Sequence, residues 1–243
     1  MQSNSIYVGL SSLITLERRM DAIAHNVANV STVGFRGEGT KFDTIVSSKA
    51  SDDVSFATAG KSFIRTEAGP MIKTDNPLDV AVKGDVWMSV STPQGQVYTR
   101  DGRMNMLPTG DLVSVTGHPV LDVGGAPIVL NPAGGAPKIS IDGAIYQNGA
   151  QIGAIGLYTI PADADLTYAG TSGVIPNKPA QPVVDDNSVG VVQGMIEGSN
   201  VDAMTEMTRL ISVSRAFEQV NNLLSQQEST VSEAIKTLGS RNG

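Results

Sequence analysis

The sequence contains no cysteine, which excludes disulfides, thiolate nucleophiles and cysteine-based zinc sites. Charge is sparse as well. Asp, Glu, Lys and Arg supply 17% of the 243 residues, and the balance is acidic, with a formal net charge of −7. Nucleic-acid binding needs clustered basic residues that displace counterions. Here Lys and Arg are scattered, and the same acidity argues against docking on anionic lipid. No run approaches the ~20 apolar residues of a membrane span. Segment 1–7 lacks the basic stretch of a signal peptide, and Glu17, Arg18, Arg19 and Asp21 break any apolar run after it. The chain is expected to be soluble and, if exported, to travel without a cleaved leader. Aromatic residues are few, at 5%.

What is plentiful is Gly (26) and Pro (12), against a background that is 40% hydrophobic. Turn-formers between apolar runs point to a β-rich body of short strands. A disordered chain would lack this much Val, Ile and Leu. The length suits one sizeable core or two modest ones.

The two ends differ from the middle. In the first, Ile6, Leu10, Leu13, Glu17, Met20, Ala24 and Val27 recur at alternating steps of four and three, and Leu16, Ile23 and Val30 widen the stripe. In the last, Leu210, Phe217, Leu224, Val231 and Leu238 are spaced by seven, with Met207, Ser214, Asn221, Glu228 and Ile235 as companions. A seven-residue period specifies a seam that supercoils around a partner helix. Glu17, Asn221 and Glu228 fall on that seam, where polar residues set register or partner choice. Ser199 with Asp202 reads as a helix start resembling a capping box, and Gly239 as a stop. One reading is a helical hairpin packed on its own body; the other is assembly with neighbours.

The middle is strand and turn. Residues 86–91 alternate with period two, and Asp101 with Gly102 reads as a hairpin turn. Asp142 with Gly143 reads as another turn. The expected fold class is α+β: a central antiparallel all-β domain flanked by N- and C-terminal helices that pair as a coiled coil. The expected boundaries are an N-terminal assembly helix over 1–30, an extended linker over 31–70, the β domain over 71–192 and a C-terminal assembly helix over 193–243.

No catalytic constellation emerges. His25 lies on the first helix, and His118, between Gly117 and Pro119, reads as part of a turn. Neither has a partner marked by spacing. Asp163, Asp165, Asp185 and Asp186 lack the spacing of a calcium loop. No phosphate-binding loop, dinucleotide fingerprint, nucleophile elbow or HExxH occurs.

Three stretches resemble the flagellar rod and hook family. The first ends in Ala24, His25, Asn26, Val27, Ala28, Asn29, Val30, Ser31, Thr32, Val33, Gly34, Phe35 and Arg36, with Val27 and Val33 standing where Leu and Pro are commoner. There the two Asn side chains can terminate a helix, Gly34 allows a positive φ and Phe35 anchors the turn. The second runs from Asp75 through Trp87 to Tyr98, Thr99, Arg100, Asp101 and Gly102, and is similar to the first hairpins of the family's β domain. The third runs from Gly194 through Glu197 and Asp202 to Arg215, Ala216, Phe217 and Glu218. The run from Thr15 to Asp21 resembles proximal rod members.

The resemblance implies a structural subunit of the basal-body rod in the periplasm, not an enzyme, with no cofactor, metal or small-molecule substrate. Its implied partners are itself, other rod proteins and the flagellar export apparatus, and export would need no cleaved signal peptide. The implied assembly interface comprises Leu10, Leu13, Met20, Asn26, Val27, Asn29, Met207, Leu210, Phe217 and Leu224. Gly34, Phe35, Asp101 and Gly102 would be structural turns. The alternatives are a distal rod or other axial subunit, and a periplasmic ligand-binding or enzymatic β domain with oligomerising helices.

Overall fold

A computed structural model describes residues 2–41, 44–47, 54–57, 61–183, 186 and 188–239. Asp185 and part of the expected linker lie outside the described residues, as do the side chains of Ile6, Val231, Ile235 and Leu238. The fold is α+β, with helix α1 (Gln2–Ala28) at one end, helix α2 (Ala203–Gly239) at the other and short strands between. The chain divides into two compact units. Unit 1 is Met1–Val27, Glu38–Phe63 and Asp202–Gly243; unit 2 is Ala28–Gly37 and Ile64–Val201.

In unit 1, strand Glu38–Lys41 pairs with strand Lys61–Ile64, and Thr44–Ser47 pairs antiparallel with Val54–Ala57. This stretch is expected from its polarity to be an extended linker; in its described residues the paired strands satisfy part of the backbone hydrogen bonding internally.

Unit 2 is built on a six-stranded sheet. In spatial order its strands are Leu166–Ala169, Gly173–Pro176, Gly95–Thr99, Trp87–Thr92, Leu157–Thr159 and Gln181–Pro182, and the pairs are antiparallel. Successive side chains on a strand point to opposite faces, and here both faces are covered. Met88, Val90, Val97 and Leu157 enter one apolar cluster with Val80, Val120 and Ile145. Their sequence neighbours Trp87, Tyr98 and Tyr158 enter another with Val174. The Asp142–Gly143 turn forms, with Gly143 at φ 86° between paired strands Lys138–Ile139 and Ala144–Gln147.

Asp101 and Gly102 do not close a hairpin. The flanking strands Gly95–Thr99 and Met104–Met106 pair with other strands, and Gly102 is not among the positive-φ glycines. Glycine is required there by close approach: an added Cβ would lie 1.8 Å from the Val80 carbonyl oxygen, and Val80 N donates to Gly102 O at 3.0 Å.

Candidate functional site

In unit 1 the two helices touch along a stripe. A Cβ placed on Gly9 would lie 2.6 Å from Leu224 Cδ2, and Ser214 Oγ lies 3.7 Å from Met20 Sδ. Residue numbers fall on one helix as they rise on the other, so the helices run antiparallel. On α1 the buried or half-buried positions include Gly9, Leu13, Leu16, Met20, Ile23 and Val27. On α2 they include Ala203, Glu206, Leu210, Val213, Phe217, Val220, Leu224 and Gln227. Both rows step by four and three residues.

One of the two expected tracks on each helix therefore faces differently from expectation. Leu10, Glu17 and Ala24 on α1 are exposed, as are Met207, Asn221 and Glu228 on α2. The inward positions lie one residue earlier. This arrangement buries Val213, half-buries Val220 and leaves Asn221 and Glu228 in water, which avoids desolvating those polar groups. Glu206 is the buried charge on the α2 row, and it accepts a hydrogen bond from Arg209 Nη1 at 2.7 Å.

Asn26 does not act as a helix terminator. Buried at the end of α1, its Oδ1 accepts from Glu38 N at 2.7 Å and its Nδ2 donates to Glu38 O at 2.9 Å. The side-chain amide thus replaces a neighbouring strand. Asn29 stays in the turn after α1, accepting Thr32 Oγ1–H at 3.1 Å. His25 Nδ1 lies 3.6 Å from Glu38 Oε2. The α2 cap is Asp202 itself, whose Oδ1 accepts from Thr205 N at 2.7 Å. Ser199 Oγ instead accepts from Val201 N in a local turn.

The four residues expected in turns all lie in unit 2, and Gly34 closes on Asp101. Gly34 sits at φ 69°, and a Cβ there would lie 2.3 Å from Asp101 N. Phe35 is fully buried and stacks on Tyr168 with centroids 5.9 Å apart, while Tyr168 Oη donates to Arg36 O at 2.7 Å. Asp101 takes Arg103 on both carboxylate oxygens, at 2.9 and 2.6 Å.

Behind these turns lies a buried ion cluster. Glu197, only 1% exposed, places Oε1 2.7 Å from Arg36 Nη2 and Oε2 3.1 Å from Arg100 Nη1. Gly69 N also donates to Oε1, at 2.8 Å. Arg36 Nη1 donates to Glu67 O at 2.7 Å, and Arg100 Nη2 to Gly84 O at 2.5 Å. The two guanidinium carbons stand 5.8 and 5.3 Å from the centre of the Trp87 ring, within cation–π reach. Burial, and then the charge of Arg100, lower the pKa of Arg36 from its ordinary value. Exposed Asp85 approaches Arg100 to 3.7 Å. Nothing in the sequence pattern assigns this cluster, because Arg and Glu are read as surface residues by default. The available signal was that each of the three resembling stretches carries one member.

Chemistry has little to work with. A cavity of about 440 Å³ opens among residues that include Val90, Val97, Thr99, Asp101, Ser114 and His118. Asp101, its one lining carboxylate, is already held by Arg103. His118 belongs to a turn, its amide donating to Ser114 Oγ at 3.2 Å. Among the described residues no group of three or more His, Asp or Glu could hold a metal ion, and no helix is long and apolar enough to cross a membrane.

Three family models match the chain. They are the flagella basal body rod protein over residues 6–36, the flagellar hook protein FlgE/F/G D1 domain over 81–173 and the flagellar basal body rod FlgEFG protein C-terminal over 192–237. Arg36, Arg100 and Glu197 fall one in each. The chain is 49% identical to the flagellar basal-body rod protein FlgF of Mesorhizobium japonicum, over 98% of this chain and 99% of that one. It is 44% identical to FlgF of Rhizobium meliloti, over 96% and 97%. With the rod protein FlgG of Bacillus subtilis the identity is 27%, over 95% and 97%. A structural family that spans both terminal helices and the β body accounts for the whole chain, and the chain belongs to the flagellar basal-body rod proteins, on their FlgF side.

Proposed function

We infer that the chain is a structural subunit of the proximal rod, built into a helical tube through its terminal helices. Rod proteins are part of the flagellar basal body and assemble with other rod components. The observation that carries the reading is the apolar surface left over once α1 and α2 have paired. Met204, Met207 and Ile211 form a second row on α2 at steps of three and four, with Met204 74% and Ile211 56% exposed; on α1, Leu10 (50%) and Ile14 are exposed too. A row of this kind is a surface for another helix. Head-to-tail contacts that do not close give a filament able to carry torque.

On this reading 1–30 and 193–243 are assembly segments that pair as a coiled coil, 31–70 links them to the body, and 71–192 is the outer β domain. Leu13, Met20, Val27, Leu210, Phe217 and Leu224 serve the pairing within the chain, and Leu10 and Met207 serve the neighbour. The subunit crosses into the periplasm through the flagellar export apparatus.

The test is motility in a strain lacking the gene, complemented with the wild-type chain or with Ile211→Asp. Restoration by the wild type alone, with the variant expressed and equally helical, supports the reading. Normal swimming of the deletion strain overturns it.

A further inference from the structure

The segments that follow α1 and precede α2 run side by side inside unit 2. Gly34 N donates to Glu197 O at 2.7 Å and Asn200 N to Phe35 O at 3.3 Å. Gly37 N donates to Asn200 Oδ1 at 2.7 Å, and Asn200 Nδ2 donates to Glu67 O at 2.9 Å. Both residue numbers rise together, so the two segments are parallel.

Apolar packing does little to hold the second segment. Among the described residues strand Met195–Glu197 pairs with Met71–Lys73 alone, every residue of which is exposed, and Met195 and Ile196 are half-buried. The deep anchor is the Glu197 carboxylate. Its surroundings are unbalanced, with two buried guanidiniums against one buried carboxylate, and the Nε–H of Arg36 and of Arg100 finds no acceptor among the described residues. Buried charge is costly unless fully compensated, and unmet donors add to that cost. The sheet beside it has the opposite character, with apolar clusters on both faces.

We propose that the Arg36–Glu197–Arg100 cluster is a latch, which opens as one unit and releases residues 34–37 and 197–200 together while the six-stranded sheet stays folded. Closed, it bolts both segments to the body through Trp87. Open, it frees the roots of both terminal helices at once. Local opening of this kind belongs to regions held by few apolar contacts, and of the two segments only Phe35, stacked on Tyr168, carries a buried apolar side chain that must come away with the latch. The latch stands on the geometry of unit 2 alone and does not depend on the rod assignment.

Amide hydrogen exchange of the full-length chain in increasing, sub-denaturing urea tests it. The amides of Gly34, Gly37, Gly69, Gly198 and Asn200 are expected to exchange as one group, at least ~10-fold faster than the amides of Trp87–Thr92, with a weaker urea dependence. Two variants reach the latch by different routes. Glu197→Gln removes the counter-charge, and Gly69→Ala drives a methyl to 2.1 Å from the Gly198 carbonyl oxygen. Each destabilises the closed state, from which both the latch and the sheet open, so each is expected to speed that group by a further ~10-fold or more and Trp87–Thr92 by no larger factor, with the group still the faster of the two. Exchange of the group only together with the sheet in the wild type overturns the proposal. So does an unchanged exchange rate of the group in both variants. If a variant does not fold, the wild-type urea series decides.

Discussion

Arg36 and Glu197 come from opposite ends of the chain and meet 2.7 Å apart, each 1% exposed. A contact between such distant residues is worth what its removal costs. Glu197→Gln leaves two guanidiniums buried without a counter-charge, and unit 2 is expected to lose about 3–5 kcal/mol. Replacing all three members with methionine or leucine is expected to recover most of that loss. Urea midpoints of the three proteins measure the difference, and equal midpoints for Glu197→Gln and the wild type would refute it.

Gly34→Ala is expected to be costly for two separate reasons. The φ of 69° carries a penalty of about 1–2 kcal/mol for a residue with a side chain, and the new methyl meets the Asp101 amide at 2.3 Å. Gly117→Ala, at φ 81° with open space around it, isolates the first term. The gap between the two variants in thermal unfolding reads the clash alone.

Phe217→Asp and Ile211→Asp separate pairing from assembly. Phe217 lies on the inward row of α2 and Ile211 on the exposed row. The first is expected to lower the far-ultraviolet helical signal of the monomer while the sheet persists. The second leaves that signal intact and abolishes swimming. Matching circular dichroism for the two variants would sink the assignment of rows.

The start of α2 is expected to depend on pH through Asp202. The side-chain and then the backbone hydrogen bond with Thr205 hold its carboxyl below the usual carboxylate range. A depressed folded pKa means the stabilisation is complete above the unfolded value of about 4 and is lost as pH falls through the lower folded one. Helicity at 222 nm should fade from about pH 4 downward, and Asp202→Asn should flatten that fading.

Helices at both ends were legible because long periodic patterns survive tertiary context. The strands around Trp87 and Met88 were legible for a similar reason, since alternation sends neighbours to opposite clusters. The facing of each helix was not. Two rows on α2 differ by one residue and both mix apolar with polar side chains, Val213 and Val220 with Glu206 and Gln227 in one, Met207 with Asn221 and Glu228 in the other, so polarity did not separate them. Asp101 and Gly102 looked like a turn, but that glycine answers to the Val80 carbonyl rather than to φ. The ion cluster was hidden because its members lie far apart in sequence and belong to residue types usually found in solvent.

The parallel crossing at 34–37 and 197–200 has a consequence for how such a chain can change over generations. The way into the β body and the way out share one doorway, so the body is a cassette whose size is decoupled from its frame. Tips such as Gly117 and Gly170, which have nothing within 4 Å of an added Cβ, are places where it can accept insertions. Growth there leaves the doorway untouched, so a lineage can remodel what a subunit displays without renegotiating how its ends meet.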